Sequence, residues 1–214
     1  MKRGCFITLE GGEGAGKSIQ TRLLAEALRH KGIDVLATRE PGGSPGAEDI
    51  RPLLVSGDPD RWDHITEVML FLAARRDHLM RTILPALNKG QWVISDRFHD
   101  STVAYQGYGF KADLGTIKAL RDLALGDIYP DLTLILDVPV DTGLQRSKAR
   151  HSDATRQEKM DISFHERMRQ GFLEIARQEP KRCIVIDASH TPEAIHTQIF
   201  NAVTERLLQK VPHG

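Results

Sequence analysis

The sequence predicts an α/β fold, a five-stranded parallel sheet with helices on both faces. Five short apolar runs alternate with segments of helical periodicity. One of them, LTLILDV at 132–138, is apolar almost throughout, as a strand buried on both faces must be. A glycine-rich loop separates the first strand from the first helix, where an open sheet gathers its ligand-binding groups.

Residues 5–10 (CFITLE) read as the first strand and break into Gly11-Gly12. From Lys17 to about His30, Leu23, Leu24, Ala27 and Leu28 recur at helical spacing, with Gly32 as the stop. Residues 33–38 (IDVLAT) form the second strand, and Arg39-Glu40-Pro41-Gly42-Gly43 is a loop. A short helix covers 47–56, and Asp63 caps a longer one whose stripe of Ile65, Met69, Leu72 and Leu79 runs toward Pro85. QWVIS is the third strand and ends in Asp96-Arg97. The stretch 105–111 mixes glycines with aromatics, and a helix follows over about 113–125. After strand 132–138 come a basic helix at 141–150, a polar loop and a helix over about 158–178. CIVIDA is the last strand, and 192–210 the last helix. With no repeat, low-complexity tract or linker, residues 1–214 read as one domain.

Hydrophobic residues make up 40% and charged residues 27% of the 214, the balance of an ordinary globular chain. Lys+Arg and Asp+Glu are equal at 29 each, which speaks against a broad nucleic-acid surface. Basic groups must then act locally. Cys5 and Cys183 sit in apolar runs and are spaced for neither a metal nor a disulfide framework, so they read as reduced core thiols. No apolar targeting core precedes the first strand, and no run approaches the roughly 18 apolar residues of a membrane span. The expectation is a cytoplasmic protein with no membrane or nucleic-acid partner.

Gly11-Gly12-Glu13-Gly14-Ala15-Gly16-Lys17-Ser18 satisfies G-x-x-x-x-G-K-[ST], the phosphate-binding P-loop, with a strand before it and a helix beginning inside it. The glycines let successive N–H groups turn toward phosphate oxygens, and the helix adds its positive end. Lys17 is expected to bridge the β- and γ-phosphates of ATP, and the Ser18 hydroxyl to hold Mg²⁺. A P-loop alone does not choose among hydrolases, switches and kinases.

Arg39 and Arg97 end strands whose carboxyl ends share the P-loop edge, so two guanidiniums face the same phosphates and suit a second anion. Asp96 would complete the Mg²⁺ shell; the same Asp96-Arg97 pair also fits a purely structural ion pair. Phe71 and Arg75 lie four apart on one helix face, an aromatic plate beside a planar donor, which suits a nucleobase. They equally fit a widened core stripe and a solvated charge. Arg146, Lys148, Arg150 and Arg156 form a local basic cluster around flexible polar residues 151–155, either a short lid over transferring phosphates, about 141–157, or a solvated helix face.

Together, LEGGEGAGKS, TREPGGS, FLAARR, SDRFHDSTVAYQG, LGDIYPDLTLILDV and RSKAR resemble the bacterial thymidylate kinases, in order and over nearly the whole chain. The resemblance implies a P-loop nucleoside-monophosphate-kinase fold, ATP with Mg²⁺, dTMP as acceptor, and a homodimer. It implies that Glu13 accepts the dTMP 3′-hydroxyl, that Arg39 and Arg97 hold its phosphate, and that Phe71 stacks on thymine. Arg75 would donate to O4, Thr102 would face N3, Tyr105 would lie against the deoxyribose, and Gln106 would line the site. With no basic residue between the P-loop glycines, the chain resembles the subtype that carries its catalytic arginine in the lid, Arg150 first and Arg156 second. The family's DR[YH] triplet departs here to end in Phe98, losing any polar contact of a Tyr or His. On family grounds alone, the 63–84 helix is the expected dimer face. Another monophosphate kinase would keep the same P-loop, arginines and lid. A P-loop switch or ATPase would lack the second arginine site.

Overall fold

The strand β1 (Phe6–Glu10) is buried along its whole length, as its apolar run demands. It pairs in parallel with β3 (Trp92–Asp96) and β4 (Leu132–Asp137); β2 (Val35–Arg39) and β5 (Cys183–Asp187) complete a five-stranded parallel sheet in the order β2-β3-β1-β4-β5. Leu9 lies level with Asp96, and Asp96 with Arg39, so the ends of β1, β2 and β3 emerge along one edge. From β1 the chain goes to the edge strand β2, returns to β3 between them, and then crosses to β4 and β5 on the other side of β1. Loops diverge at such a reversal and leave a crevice. The computed structural model describes residues 3–149 and 156–209.

Side chains alternate across β1. Ile7 and Leu9 pack with Leu24 and Leu28 of α1 (Lys17–His30) and with Ile195 and Ile199 of α9 (Pro192–Val203). Phe6 points the other way, into Val68 and Leu72 of α3 (His64–His78), Ile117 of α6 (Leu114–Leu125), and Phe98. Helices therefore cover both faces. On the Phe6 side the strand's apolar appearance hides polar chemistry. Thr8 Oγ1 lies 2.9 Å from Thr133 Oγ1, and Arg182 donates to Thr133 at 2.8 Å and to both oxygens of Asp100 at 2.7 and 2.8 Å.

Most helix ends follow local signals. Asp63 accepts from the N–H groups of Ile65 and Thr66 at 3.0 and 3.1 Å and caps α3. The helix α2 (Pro45–Val55) starts two residues earlier than expected, because proline suits the first turn, where its missing N–H costs nothing. The long helix passes through Pro85 instead of stopping short. A π turn over Leu79–Ile83 leads into α4 (Leu84–Asn88), and Leu84 N–H already reaches back to Leu79 O, so proline falls where the bonding ladder is shifted. The glycine-bearing stretch is also helical: α5 (His99–Thr102) continues as a π turn over Val103–Gly109. It packs against α8 (Ile162–Gln178) closely enough that a Cβ on Gly171 would lie 2.6 Å from Tyr108. The basic helix is α7 (Val140–Lys148), and α9 passes into a π turn over Thr204–Leu208.

Cys183 is buried, and burial pushes its thiol up to about 12, the behaviour of a core group. Cys5 is half-buried just ahead of β1. Among the described residues no helix is long and apolar enough to cross a membrane.

Phe98, where the family motif has a polar ring, is 1% exposed and meets Phe6 edge-on at 5.0 Å. The Arg75 guanidinium lies 5.4 Å from its centroid. Phe98 thus serves the core beneath the crevice. Phe98→Ala is expected to lower unfolding free energy by about 3–5 kcal/mol in urea titrations. A loss below about 1 kcal/mol would mean that this ring contributes little packing.

Candidate active site

The P-loop leaves β1 and enters α1 with Gly11, Gly14 and Gly16 at positive φ. Gly14 has no room for a side chain, since a Cβ would fall 1.9 Å from the Gly143 carbonyl oxygen at the start of α7. Lys17 Nζ spans the loop and donates to Gly11 O at 3.0 Å and Gly12 O at 2.7 Å. Burial and the neighbouring Arg97 push its pKa down to about 8, against the pull of Asp96 and Glu13. Ala15 is buried in the core and contributes main chain only.

Arg97 stands at the hub. Its Nη1 donates to Gly11 O at 3.1 Å and Ser101 Oγ at 3.0 Å, and its Nη2 to Glu13 at 3.0 Å and Tyr105 Oη at 2.9 Å. Tyr105 Oη in turn donates to Glu13 Oε1 at 2.6 Å. Burial pushes the Glu13 carboxyl up, but Arg97 and Lys17 outweigh it and hold the group below the usual range. A cation, a carboxylate and a phenol are thereby locked in one cluster between the P-loop and α5.

Beyond Arg97 lies the second set. Arg75 is buried and fully oriented: Nε donates to Glu40 at 2.6 Å, Nη1 to Thr102 Oγ1 at 2.8 Å and Nη2 to Phe98 O at 2.9 Å. Glu40 also meets His78 Nδ1 at 3.0 Å, and His78 Nε2 lies 2.8 Å from Thr38 Oγ1. Arg39 donates to both oxygens of Glu48 at 3.0 and 3.2 Å. A cavity of about 260 Å³ joins the two sets; its lining includes Lys17, Ser18, Arg39, Phe71, Arg97 and Gln106. Glu13, Gly14, Gly16, Arg75, Asp96, Thr102 and Tyr105 line it too.

Arg150 falls outside the described residues. Arg156 is not brought to the cavity: it is 2% exposed and donates to Asp58 O, Leu54 O, Pro59 O and Glu67. A guanidinium spent on the carbonyls at the end of α2 and on a buried carboxylate has no reach left for phosphate. Arg146 likewise donates to Ala188 O and Ser189 O beyond β5.

Ser18 Oγ lies 2.5 Å from Asp96 Oδ2 at the P-loop end of the cavity. A hydroxyl beside a carboxylate is a hard oxygen donor pair, and Mg²⁺ takes few protein ligands, completing its shell with phosphate oxygens and water. The residues present fit that ion. Among the described residues no larger cluster of acidic, His or Cys side chains could compete for it.

Sequence reasoning missed Glu10, Glu40, Arg51 and Ser101. Arg51 lines the cavity and donates to Pro41 O, which α2 must fold back to reach, so no local pattern announced it. Glu10 reads as the end of an apolar strand, yet it accepts from Phe98 N–H at 2.7 Å and Ser101 Oγ at 2.6 Å. Its only signal was a charge at the end of an otherwise apolar run.

Sheet, P-loop, oxygen donors and a second arginine-lined chamber define a P-loop phosphotransferase of the nucleoside-monophosphate-kinase type. The sequence model of the family "Thymidylate kinase" matches residues 9–199. A thymidylate kinase of Caulobacter vibrioides is 55% identical over 207 residues, covering 97% of this chain and 99% of the relative. One from Bradyrhizobium sp. ORS 278 is 51% identical over 211 residues, covering 98% and 93%. The crystal structure of thymidylate kinase from Ehrlichia chaffeensis superposes with a TM-score of 0.77 at 38% identity, covering 94% of this chain and 99% of that one. The chain belongs to the thymidylate kinase family.

Burial and the nearby Asp100 push Glu10 up to about 8 from an ordinary 4.5, against the hydrogen bond from Ser101 and the field of Arg97. The folded chain therefore holds this proton to higher pH than the unfolded chain. The associated stability is complete below about 4.5 and drains away as pH rises to about 8. Glu10→Gln mimics the protonated form, so its Tm is expected to gain on that of the wild type steadily between pH 5 and 8. Parallel Tm curves would show that Glu10 does not titrate in this window.

Proposed function

We propose that this enzyme transfers the γ-phosphoryl of ATP to the phosphate of dTMP, giving dTDP and ADP, in the cytoplasm. The observation that carries the reading is a continuous cavity running from Lys17 and Ser18, past Arg97, to Phe71 and Arg75. A P-loop hydrolase or switch has no use for the second chamber.

In this reading the P-loop N–H groups and Lys17 hold the donor phosphates, and Arg39, Arg51 and Arg97 hold the acceptor phosphate. The hydroxyl–carboxylate pair of Ser18 and Asp96 holds Mg²⁺, which neutralises charge on the donor phosphates when bound. Phe71 stacks on the base while Arg75, oriented by Glu40 and Phe98 O, donates to its carbonyl. Tyr105, pinned between Arg97 and Glu13, fills the space beside the sugar where a ribose would carry its extra hydroxyl. Arg150 supplies the lid cation on the strength of the RSKAR segment. The enzyme works as a homodimer through the 63–84 helix, on which Met69 and Met80 are 48% and 46% exposed.

A panel of nucleoside monophosphates with ATP and Mg²⁺ tests the substrate. dTMP is expected to turn over fastest, and a ribonucleotide that outruns it would overturn the assignment. Lys17→Ala is expected to lower kcat by at least about a thousandfold with Tm little changed, because the main chain does most of the cradling. Arg150→Ala should lower kcat far more than it raises KM for dTMP. A selective rise in that KM would move Arg150 into the acceptor site.

A further inference from the structure

Glu67 lies one helical turn before Phe71 and two before Arg75, so α3 presents all three along one face. Glu67 is 1% exposed and holds two groups at once. Its Oε1 accepts from Arg156 Nη1 at 2.8 Å, and its Oε2 accepts from Gln106 Nε2 at 3.1 Å. Arg156 cannot swing away, because its remaining donors are taken by Asp58 O and Pro59 O at 2.7 and 2.8 Å and its own N–H meets Val55 O at 3.3 Å.

A carboxylate paired with a guanidinium offers only acceptors. The amide of Gln106 therefore turns its NH₂ toward Glu67. The amide oxygen, beside one spare N–H, is then what this cavity-lining residue has left to offer. Thr102 cannot make the same choice: its Oγ1 already accepts from Arg75, and a hydroxyl rotates to donate or to accept. Thymine and uracil present a protonated ring nitrogen beside a carbonyl. Cytosine presents a bare nitrogen beside an amino group. A fixed acceptor next to the Arg75 donor matches the first edge and leaves the second with mismatched groups, which a buried site rejects strongly.

We propose that Glu67, pinned by Arg156, is a positioning residue that locks the Gln106 amide with its oxygen toward the acceptor chamber and so selects a base whose ring nitrogen carries a proton. The proposal rests on the acceptor-site reading above and adds the element that sets its base preference. It also gives Arg156 a role distinct from phosphate chemistry.

The test is the ratio of kcat/KM for dTMP to that for dCMP in wild type, Glu67→Gln and Arg156→Met. Glu67→Gln frees the amide to turn by adding a donor beside it, and Arg156→Met removes the guanidinium that pins Glu67, so that Glu67 and the amide it holds are free to move. In each the ratio is expected to fall at least tenfold, mainly through KM for the acceptor, with KM for ATP unchanged. A structural role alone would lower both acceptors together, and an unchanged ratio overturns the proposal. A wild-type crystal with dTMP provides a check that no variant's folding can spoil: Gln106 is expected to remain within hydrogen-bond distance of Glu67. Detachment of Gln106 on binding overturns the proposal as well. Wild type inactive toward dTMP would instead overturn the acceptor reading itself.

Discussion

Arg97 occupies a left-handed backbone conformation at φ +74°, which costs a non-glycine residue roughly 1–3 kcal/mol. The surrounding strand ends over-determine it. Arg97 N–H meets Leu9 O at 3.0 Å, Ser95 Oγ donates to Arg97 O at 2.7 Å, and the next N–H, of Phe98, is taken by Glu10 at 2.7 Å. This turn lifts the Arg97 guanidinium out of the sheet and into the cluster of Glu13, Tyr105 and Ser101. The P-loop end of the cavity and its Phe71–Arg75 end meet there, and Arg97 would not join them if β3 simply ran on. Glu10 serves the arrangement twice, through Phe98 N–H and through Ser101, whose hydroxyl also receives Arg97.

A chain with zero formal net charge thus gathers five cations around one cavity, Lys17, Arg39, Arg51, Arg75 and Arg97, beside four carboxylates. Each key guanidinium has a carboxylate behind it: Glu40 for Arg75, Glu13 for Arg97, Glu48 for Arg39. For the buried Arg75–Glu40 pair, desolvation offsets much of the attraction, so its contribution is orientation more than stability. Arg75 has its guanidinium plane fixed during folding, so a group bound beside it would not carry that ordering cost.

Much of the site was legible from local pattern. The P-loop needs contiguous residues and announces itself. Arg39 and Arg97 follow from their places at strand ends, and Phe71 with Arg75 from four-residue spacing. The misreadings share a cause. Glu10 looked like a strand end and Arg156 a lid cation, because each gains its role from a partner distant in the chain. Arg156 and Glu67 are 89 residues apart, and Glu10 and Ser101 are 91 apart. Pro85 and the 105–111 stretch show the same limit for secondary structure, since tertiary packing carried helices through proline and glycine by way of π turns.

By itself, then, the sequence determined the alternation of strands and helices, the phosphate loop and most of the residue types that line the cavity. Those properties depend on neighbours within a turn or two of chain, where periodicity and short motifs act. Only the tertiary structure decided which cations face the cavity and which are consumed as internal fasteners. A guanidinium's role depends on the acceptors that surround it, and folding alone brings those acceptors together.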